Sequence, residues 1–239
     1  MEFFYAPSGD VHGDVVVLRG EEFTHLTHVM RRKAGDRIVI TDGAGRTYTA
    51  EIADTSRREA VCRIIARQEF LHEPRVHITL AVALLKNPAK FDFLVEKATE
   101  LGVSVIVPLR TERTIPAQGR TDRWQKLALA AMKQSMRCVL PEVRPVVAFE
   151  DVVRNTGAAA RIIPHEQGTA PRIPELQLVR SADSIAICIG PEGGFTDSEV
   201  RRAVDAGFVP VSLGKTRLRT ETAAIAAVAT VIAIDTPIS

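Results

Sequence analysis

The chain has 239 residues, 46% of them hydrophobic and 25% charged, with a formal net charge of +2. These values suit one large or two modest soluble globular domains with a real core. They exclude a disordered or strongly polybasic protein, so a nucleic-acid partner would have to be met by a local basic patch. The three cysteines, Cys62, Cys138 and Cys188, are odd in number and scattered, which points to reduced thiols in a cytoplasmic protein without a disulfide frame or a CxxC metal pair. The start MEFFYAPSGD lacks the basic and apolar regions of a signal peptide. The apolar run 223–234 is shorter than the roughly 20 residues of a membrane span and reads as a buried helix.

Up to about residue 70 the runs VVVL (15–18), RIVIT (37–41), RTYTAEIA (46–53) and EAVCRIIARQ (59–68) are β-rich and bounded by turn signals such as Asp42-Gly43-Ala44-Gly45. One helix interrupts them, with Phe23, Leu26, Val29 and Met30 on one face. This predicts a small β-barrel-like module over 1–72, with HEPR (72–75) as the linker. From Val76 onward, within 73–239, strand and helix alternate. HITLAVALL is followed by Asn87 as a helix cap and Pro88 at the first helical position, and Gly102 stops that helix. VSVIVPL, the helix DRWQKLALAAMKQSMR and the strands AARIIP, SIAICI and FVPVSL continue the alternation. The pattern predicts an α/β domain with a mostly parallel sheet.

The familiar nucleotide signatures fail. Gly43-Ala44-Gly45 is flanked by strands and lacks the third glycine, and Gly214-Lys215-Thr216 has Val209 where a P-loop needs its first glycine. His25 and His28 lie on one helix without an HExxH context, so no metal site is assigned. Two other loops carry more. IGPEGGFTDSEVR (189–201) leads from the strand SIAICI into a helix that Thr196 and Glu199 begin as a capping box. LGKTRLRTETA (213–223) leads from another apolar strand into an alanine-rich helix. At the carboxyl ends of parallel strands, two such loops would meet in the crevice where open α/β sheets bind ligands.

These loops, together with KATELGV (97–103) and QSMR (134–137), closely resemble the signature loops of the SPOUT methyltransferases, and more narrowly the ribosomal RNA small-subunit methyltransferase E family. The family pattern carries an acid before Gln134, where this chain has Ala130 and Ala131, so no catalytic acid is assigned there. The resemblance implies a PUA-like N-terminal β-barrel and a C-terminal SPOUT α/β domain with a deep trefoil knot. It also implies a homodimer that uses S-adenosylmethionine, without metal, to methylate uridine N3 in 16S rRNA of the small subunit. Other readings are a SPOUT enzyme acting on a ribose 2′-OH and a non-catalytic RNA-binding assembly factor.

On that resemblance the cofactor falls to Gly190, Pro191, Glu192, Gly193 and Gly194, to Leu213, Gly214, Leu218, Thr222 and Ala223, and to Pro164 and His165 at another strand end. The chemistry falls to Arg137, Arg219 and Glu192. An arginine is permanently charged and cannot be a base. It can instead stabilise the imide anion of uridine, by up to about 4 kcal/mol at 4 Å and an effective dielectric of 20. Arg137 reads equally well as a phosphate contact, and Glu192 as an acceptor for loop N–H groups. The RNA falls to Arg31, Arg32 and Lys33 after the N-terminal helix, with Arg110, Arg113, Arg120 and Arg123 flanking the loop before Trp124.

Overall fold

The computed structural model describes residues 3–115, 118–165 and 170–235. The chain divides into two compact units. Unit 1 holds residues up to Glu73 together with Leu129–Leu140, and unit 2 holds Pro74–Ala128 and Pro141 onward. The segment Leu129–Leu140 is one that the sequence placed with the α/β half.

Unit 1 is built on β1 (Phe4–Tyr5), β2 (Val11–His12), β3 (Val15–Arg19), β4 (Arg37–Thr41), β5 (Arg46–Thr55) and β6 (Glu59–Glu69), in the spatial order β1-β4-β5-β6-β3-β2. The two edges are not bonded to each other, so the sheet is a curled half-barrel. Register shifts in β5 at Thr49/Ala50 and Ile52/Asp54 bend it, because an extra residue on one strand kinks the ladder and increases its twist. Phe4, Leu18, Ile40, Ile52 and Cys62 line the concave core. At the β4–β5 turn the buried Asp42 accepts the N–H groups of Ala44 and Arg46 at 2.9 and 3.1 Å and the Tyr48 hydroxyl at 3.2 Å.

The helix between β3 and β4 departs from expectation. It starts as α1 (Gly20–Thr24) and continues as a π-turn over His25–Val29, where Met30 donates its N–H to the His25 carbonyl. A π-turn holds more residues per turn than an α-helix, so the apolar stripe drifts off the core. Leu26 is buried, whereas Val29 is 65% and Met30 39% exposed.

Leu129–Leu140 is fastened to unit 1 by backbone and by charge. Gly45 donates to the Cys138 carbonyl and Leu140 to that of Gly43, at 2.9 and 2.8 Å. Glu73 then clamps the segment. One carboxylate oxygen takes Nη2 and Nε of Arg137 at 2.6 and 3.1 Å, and the other takes the N–H groups of Cys138 and Val139 at 2.7 and 2.9 Å. Both side chains are almost wholly enclosed, at 3% and 5% exposure.

Unit 2 contains β7 (His77–Ala83), α2 (Pro88–Glu100), β8 (Val105–Arg110), the first part of α3 (Thr121–Gln134), β9 (Glu142–Val143), β10 (Val147–Ala148), α4 (Phe149–Asn155), β11 (Ala160–Pro164), α5 (Gln177–Arg180), β12 (Ser184–Ile189), α6 (Asp197–Asp205), β13 (Val209–Val211) and α7 (Thr220–Asp235). Its parallel sheet runs β10-β8-β7-β12-β11-β13, with β9 also on β8. β7, β8 and β12 are buried along nearly their whole length, as strands covered on both faces must be. Asn87 caps α2 by accepting the Ala89 N–H at 3.0 Å, with Pro88 next, as its local sequence predicts. Gly102 closes that helix at φ 103°, where a Cβ would also strike Pro74. No described helix is long and apolar enough to cross a membrane.

Breaking a buried pair by removing one partner typically costs about 3–5 kcal/mol, since the remaining charge stays enclosed. Arg137→Ala is therefore expected to lower the unfolding free energy by about that amount in urea denaturation. A loss under about 1 kcal/mol, the scale of an exposed pair, would show that the clamp does not hold the segment.

Candidate cofactor and substrate site

The sheet order decides what the two signature loops can do. β11 lies between β12 and β13, and all three run the same way. Their carboxyl ends therefore open side by side. Gly190–Gly194 follows β12, Leu213 and Gly214 follow β13, and Pro164 and His165 end β11 between them. His165 donates its N–H to the Val211 carbonyl at 3.0 Å, tying the middle strand end to the outer one. Thr222 and Ala223 lie in the first turn of α7. The sequence-predicted cofactor residues that end β11, β12 and β13 thus lie side by side at one end of the sheet of unit 2.

The loop after β12 is braced from several sides. Thr196 and Glu199 form the expected capping box, with Glu199 N–H to Thr196 Oγ1 at 3.2 Å and Thr196 N–H to Glu199 Oε2 at 2.8 Å. Glu199 is fully buried, and its other oxygen accepts the Glu112 N–H at 2.9 Å. Its charge is met by N–H donors and by the positive end of the α6 dipole. Arg113 reaches the Gly193 carbonyl at 2.6 Å and that of Phe195 at 3.4 Å. Glu192 accepts the Lys86 N–H at 3.1 Å, which ties the loop to the turn after β7.

The glycines of this loop have separable reasons. At Gly190 a Cβ would lie 3.1 Å from both the ring and the backbone nitrogen of Phe195, and Gly194 needs its φ of 69°. At Gly193 a Cβ would meet nothing closer than Arg113 Cδ at 3.4 Å, an ordinary contact. The fold leaves room for a side chain at 193.

Two site residues escaped the sequence reading. Glu221, at the second position of α7, is 9% exposed and pairs with Lys90 of α2 at 3.0 Å. Burial pushes its carboxyl up, but Lys90 and Arg219 outweigh that and hold it below the usual carboxylate range. Its Oε2 is buried without a hydrogen-bond partner. An acid just inside the quoted LRTETA stretch was the available signal; Lys90 gave none, because its partner is remote in sequence.

Several expected roles need correction. Arg137, expected in the chemistry or on phosphate, has its guanidinium enclosed with Glu73 instead of presented at the surface. Arg113, expected on RNA, is engaged with the carbonyls of the Gly193 loop. Arg123 pairs with Asp92 at 2.9 Å, whose other oxygen takes the Trp124 indole N–H at 3.1 Å. Glu192, expected in the chemistry, holds a backbone N–H, the alternative role its loop position suggested. Arg219 and Arg110 are exposed, as are Arg31 and Lys33, with Arg32 half-buried.

Gly193→Ala should leave the melting temperature within about 2 °C of the parent, no more than the shift of about 1 kcal/mol in a chain of this size. If a ligand's backbone approach is what keeps this position bare, calorimetry should show adenosylmethionine binding weakened at least tenfold, about 1.4 kcal/mol. Gly190→Ala should instead lose stability. Undiminished affinity in Gly193→Ala would remove that residue from the site.

Known families match both halves of the chain. The model of an RNA methyltransferase domain matches residues 72–232, and that of an RNA methyltransferase PUA domain matches residues 18–65. Ribosomal RNA small subunit methyltransferase E of Synechocystis is 33% identical over 225 residues, spanning 92% of this chain and 73% of that protein. The Aquifex aeolicus protein of the same name is 29% identical over 232 residues, 95% and 97% of the two chains. A crystal structure of ribosomal RNA small subunit methyltransferase E from Neisseria gonorrhoeae bound to S-adenosyl methionine superimposes with a TM-score of 0.86 at 31% identity, over 96% of each chain. With family models over both halves and relatives along nearly its full length, the chain belongs to the ribosomal RNA small subunit methyltransferase E family.

Proposed function

We propose that this protein transfers the methyl group of S-adenosylmethionine to uridine N3 in 16S rRNA, as a homodimer acting in the cytoplasm. The observation that carries the reading is the alignment of three strand ends, with the glycine loop after β12 and the LRTETA loop before α7 on either side of β11. The site's chemistry fits the cofactor. Adenosylmethionine supplies an activated methyl on a positively charged sulfonium, and acids that would repel a phosphate suit that cation. Glu192 and Glu221 are such acids, and Glu221 Oε2 is an acceptor with no donor among the described residues.

Backbone groups of Gly190–Gly194, Leu213 and Gly214 would hold the cofactor, with Leu218 and Ala223 against its apolar parts and Pro164 and His165 closing the middle. Uridine N3 must lose its proton to become a nucleophile. Arg219 is exposed on the loop that enters α7, and it takes the anion-stabilising role that the enclosed Arg137 cannot. Fixed positive charge beside the flanking carbonyl oxygens lowers the cost of the imide anion. The bracing by Arg113, Glu199 and Lys86 keeps the loop in place without a metal.

Nucleoside mass spectrometry of 16S rRNA treated with the purified protein and adenosylmethionine should show N3-methyluridine. A product methylated on ribose or on another base would overturn the uridine-N3 assignment. In the same assay Arg219→Ala should slow single-turnover transfer by about 100-fold, the scale of a lost transition-state donor. Part of that rate should return at higher pH, as the imide ionises unaided; an unchanged pH profile would move Arg219 to binding only.

The dimer rests on α7. Ala224, Ala227, Val228 and Val231 are buried within the chain, while Ile225, Ala226, Ala229 and Ile232 on its other faces remain partly uncovered. A helix apolar on every side needs cover on every side. Light scattering should give about 52 kDa, two chains of 26.1 kDa; an active monomer at micromolar concentration would contradict it.

A further inference from the structure

In unit 1 the strands β3 and β4 are consecutive in sequence but not adjacent in the sheet, so residues 20–36 must cross the ends of β6 and β5. The register fixes which end they cross. β3 finishes with Arg19 opposite Glu59, the first residue of β6, and β4 begins with Arg37 opposite Glu51, near the end of β5. Gly35 donates its N–H to the Ile52 carbonyl at 2.8 Å, and Ile52 donates to that of Asp36 at 3.0 Å. The turn from β5 to β6, residues 56–58, leaves from the same end. Arg31, Arg32 and Lys33 of the crossover and Arg57 and Arg58 of the turn therefore share one end of the half-barrel.

The cations at this end outnumber the acids. None of these cations makes an ion pair among the described residues, and Arg32 Nε has no acceptor among them. Asp36 and Asp54 accept backbone N–H groups at 3.0 and 2.8 Å and offset only part of the five cations. Glu59 and Glu51 pair with Arg19 and Arg63.

Two further features serve no core. The π-turn leaves Val29 and Met30 in solvent immediately before the cations. Arg31 stands at φ 53°, with Arg32 donating to the Leu26 carbonyl at 3.0 Å, a helix end one residue wider than the 6→1 bond of a Schellman motif, as a preceding π-turn requires. That position normally carries glycine, because a side chain there is strained. Backbone strain retained at an exposed cation is characteristic of a functional position.

We propose that this end of the half-barrel is an RNA-docking surface, with Arg57 and Arg58 as a second cationic arm beside Arg31–Lys33. The cations contact backbone phosphates, and Val29 and Met30 pack against a base or ribose. The proposal rests on the reading of the protein as an rRNA methyltransferase. RNA fits better than a membrane surface, because the apolar part is two aliphatic side chains on a single turn, too little to anchor in lipid, while the phosphate attraction is strong and sequence-independent.

The test is fluorescence anisotropy of the full-length protein with transcribed 16S rRNA across a salt series. Each phosphate contact contributes about 0.7 to the slope of log affinity against log salt on single strands. Arg57→Ala/Arg58→Ala should reduce that slope by up to about 1.4. Val29→Ser/Met30→Ser should weaken affinity several-fold at an unchanged slope, because no counterions are involved. Arg31→Gly relieves the left-handed strain, so its melting temperature should be equal or higher while the slope falls by about 0.7. A structural role for Arg31 predicts no change in RNA binding, and that result would overturn the proposal. So would an unchanged slope in the Arg57/Arg58 variant, or binding to phosphatidylglycerol vesicles that these variants lose while keeping RNA. Nucleoside analysis of the same rRNA keeps the two claims separate: a parent that binds with the predicted slopes but transfers no methyl refutes the function and supports the surface.

Discussion

The candidate chemistry depends on one constraint, the parallel pairing of β11 between β12 and β13. Parallel strands deliver their carboxyl ends to one side, and their connections must return over the faces of the sheet. Residues distant in sequence, from Pro164 to Gly214, are therefore brought side by side by the backbone pairing of three strands. Had β13 paired antiparallel to β11, the glycine loop and the LRTETA loop would lie at opposite ends of the sheet, and no amount of local sequence signal would make a site.

Around those strand ends the structure sets carboxylates where a phosphate-binding protein would place cations. Glu199 is buried and stabilised by N–H donors and a helix dipole, Glu192 ties one loop to the next, and Glu221 is held ionised by Lys90 and Arg219. N–H donors and single cations stabilise each acid, so carboxylates stand beside the cations Lys215, Arg217 and Arg219 of the same region. An acid placed there suits a ligand whose reactive centre is a cation. A separate cluster of cations, Arg31, Arg32, Lys33, Arg57 and Arg58, belongs to the other compact unit.

The legible parts of the molecule were those whose cause lies within a few residues. β4 and β12 follow the expected apolar runs, Asn87 and Pro88 open α2, and Thr196 with Glu199 opens α6, because alternation, caps and breakers are local. The misread parts depend on remote partners. Arg137 looks like a free cation in QSMR until Glu73, 64 residues earlier, encloses it. Arg113 looks like an RNA contact until the loop 80 residues later supplies carbonyls for it. Leu129–Leu140 joins unit 1 through the β4–β5 turn, which no periodicity announces. The stripe Phe23, Leu26, Val29, Met30 failed for a local reason of another kind: a π-turn changes the period that the pattern assumes. A chain knot, similarly, is a matter of threading order and leaves no periodicity in sequence.

Hydrogen–deuterium exchange with and without adenosylmethionine tests the central claim most directly, because it reads every backbone N–H at once. The account predicts slowed exchange in 190–196 and 213–223 on addition of the cofactor, with the half-barrel strands β4, β5 and β6 unchanged. Protection confined to the half-barrel, or none in either loop at saturating cofactor, would contradict it.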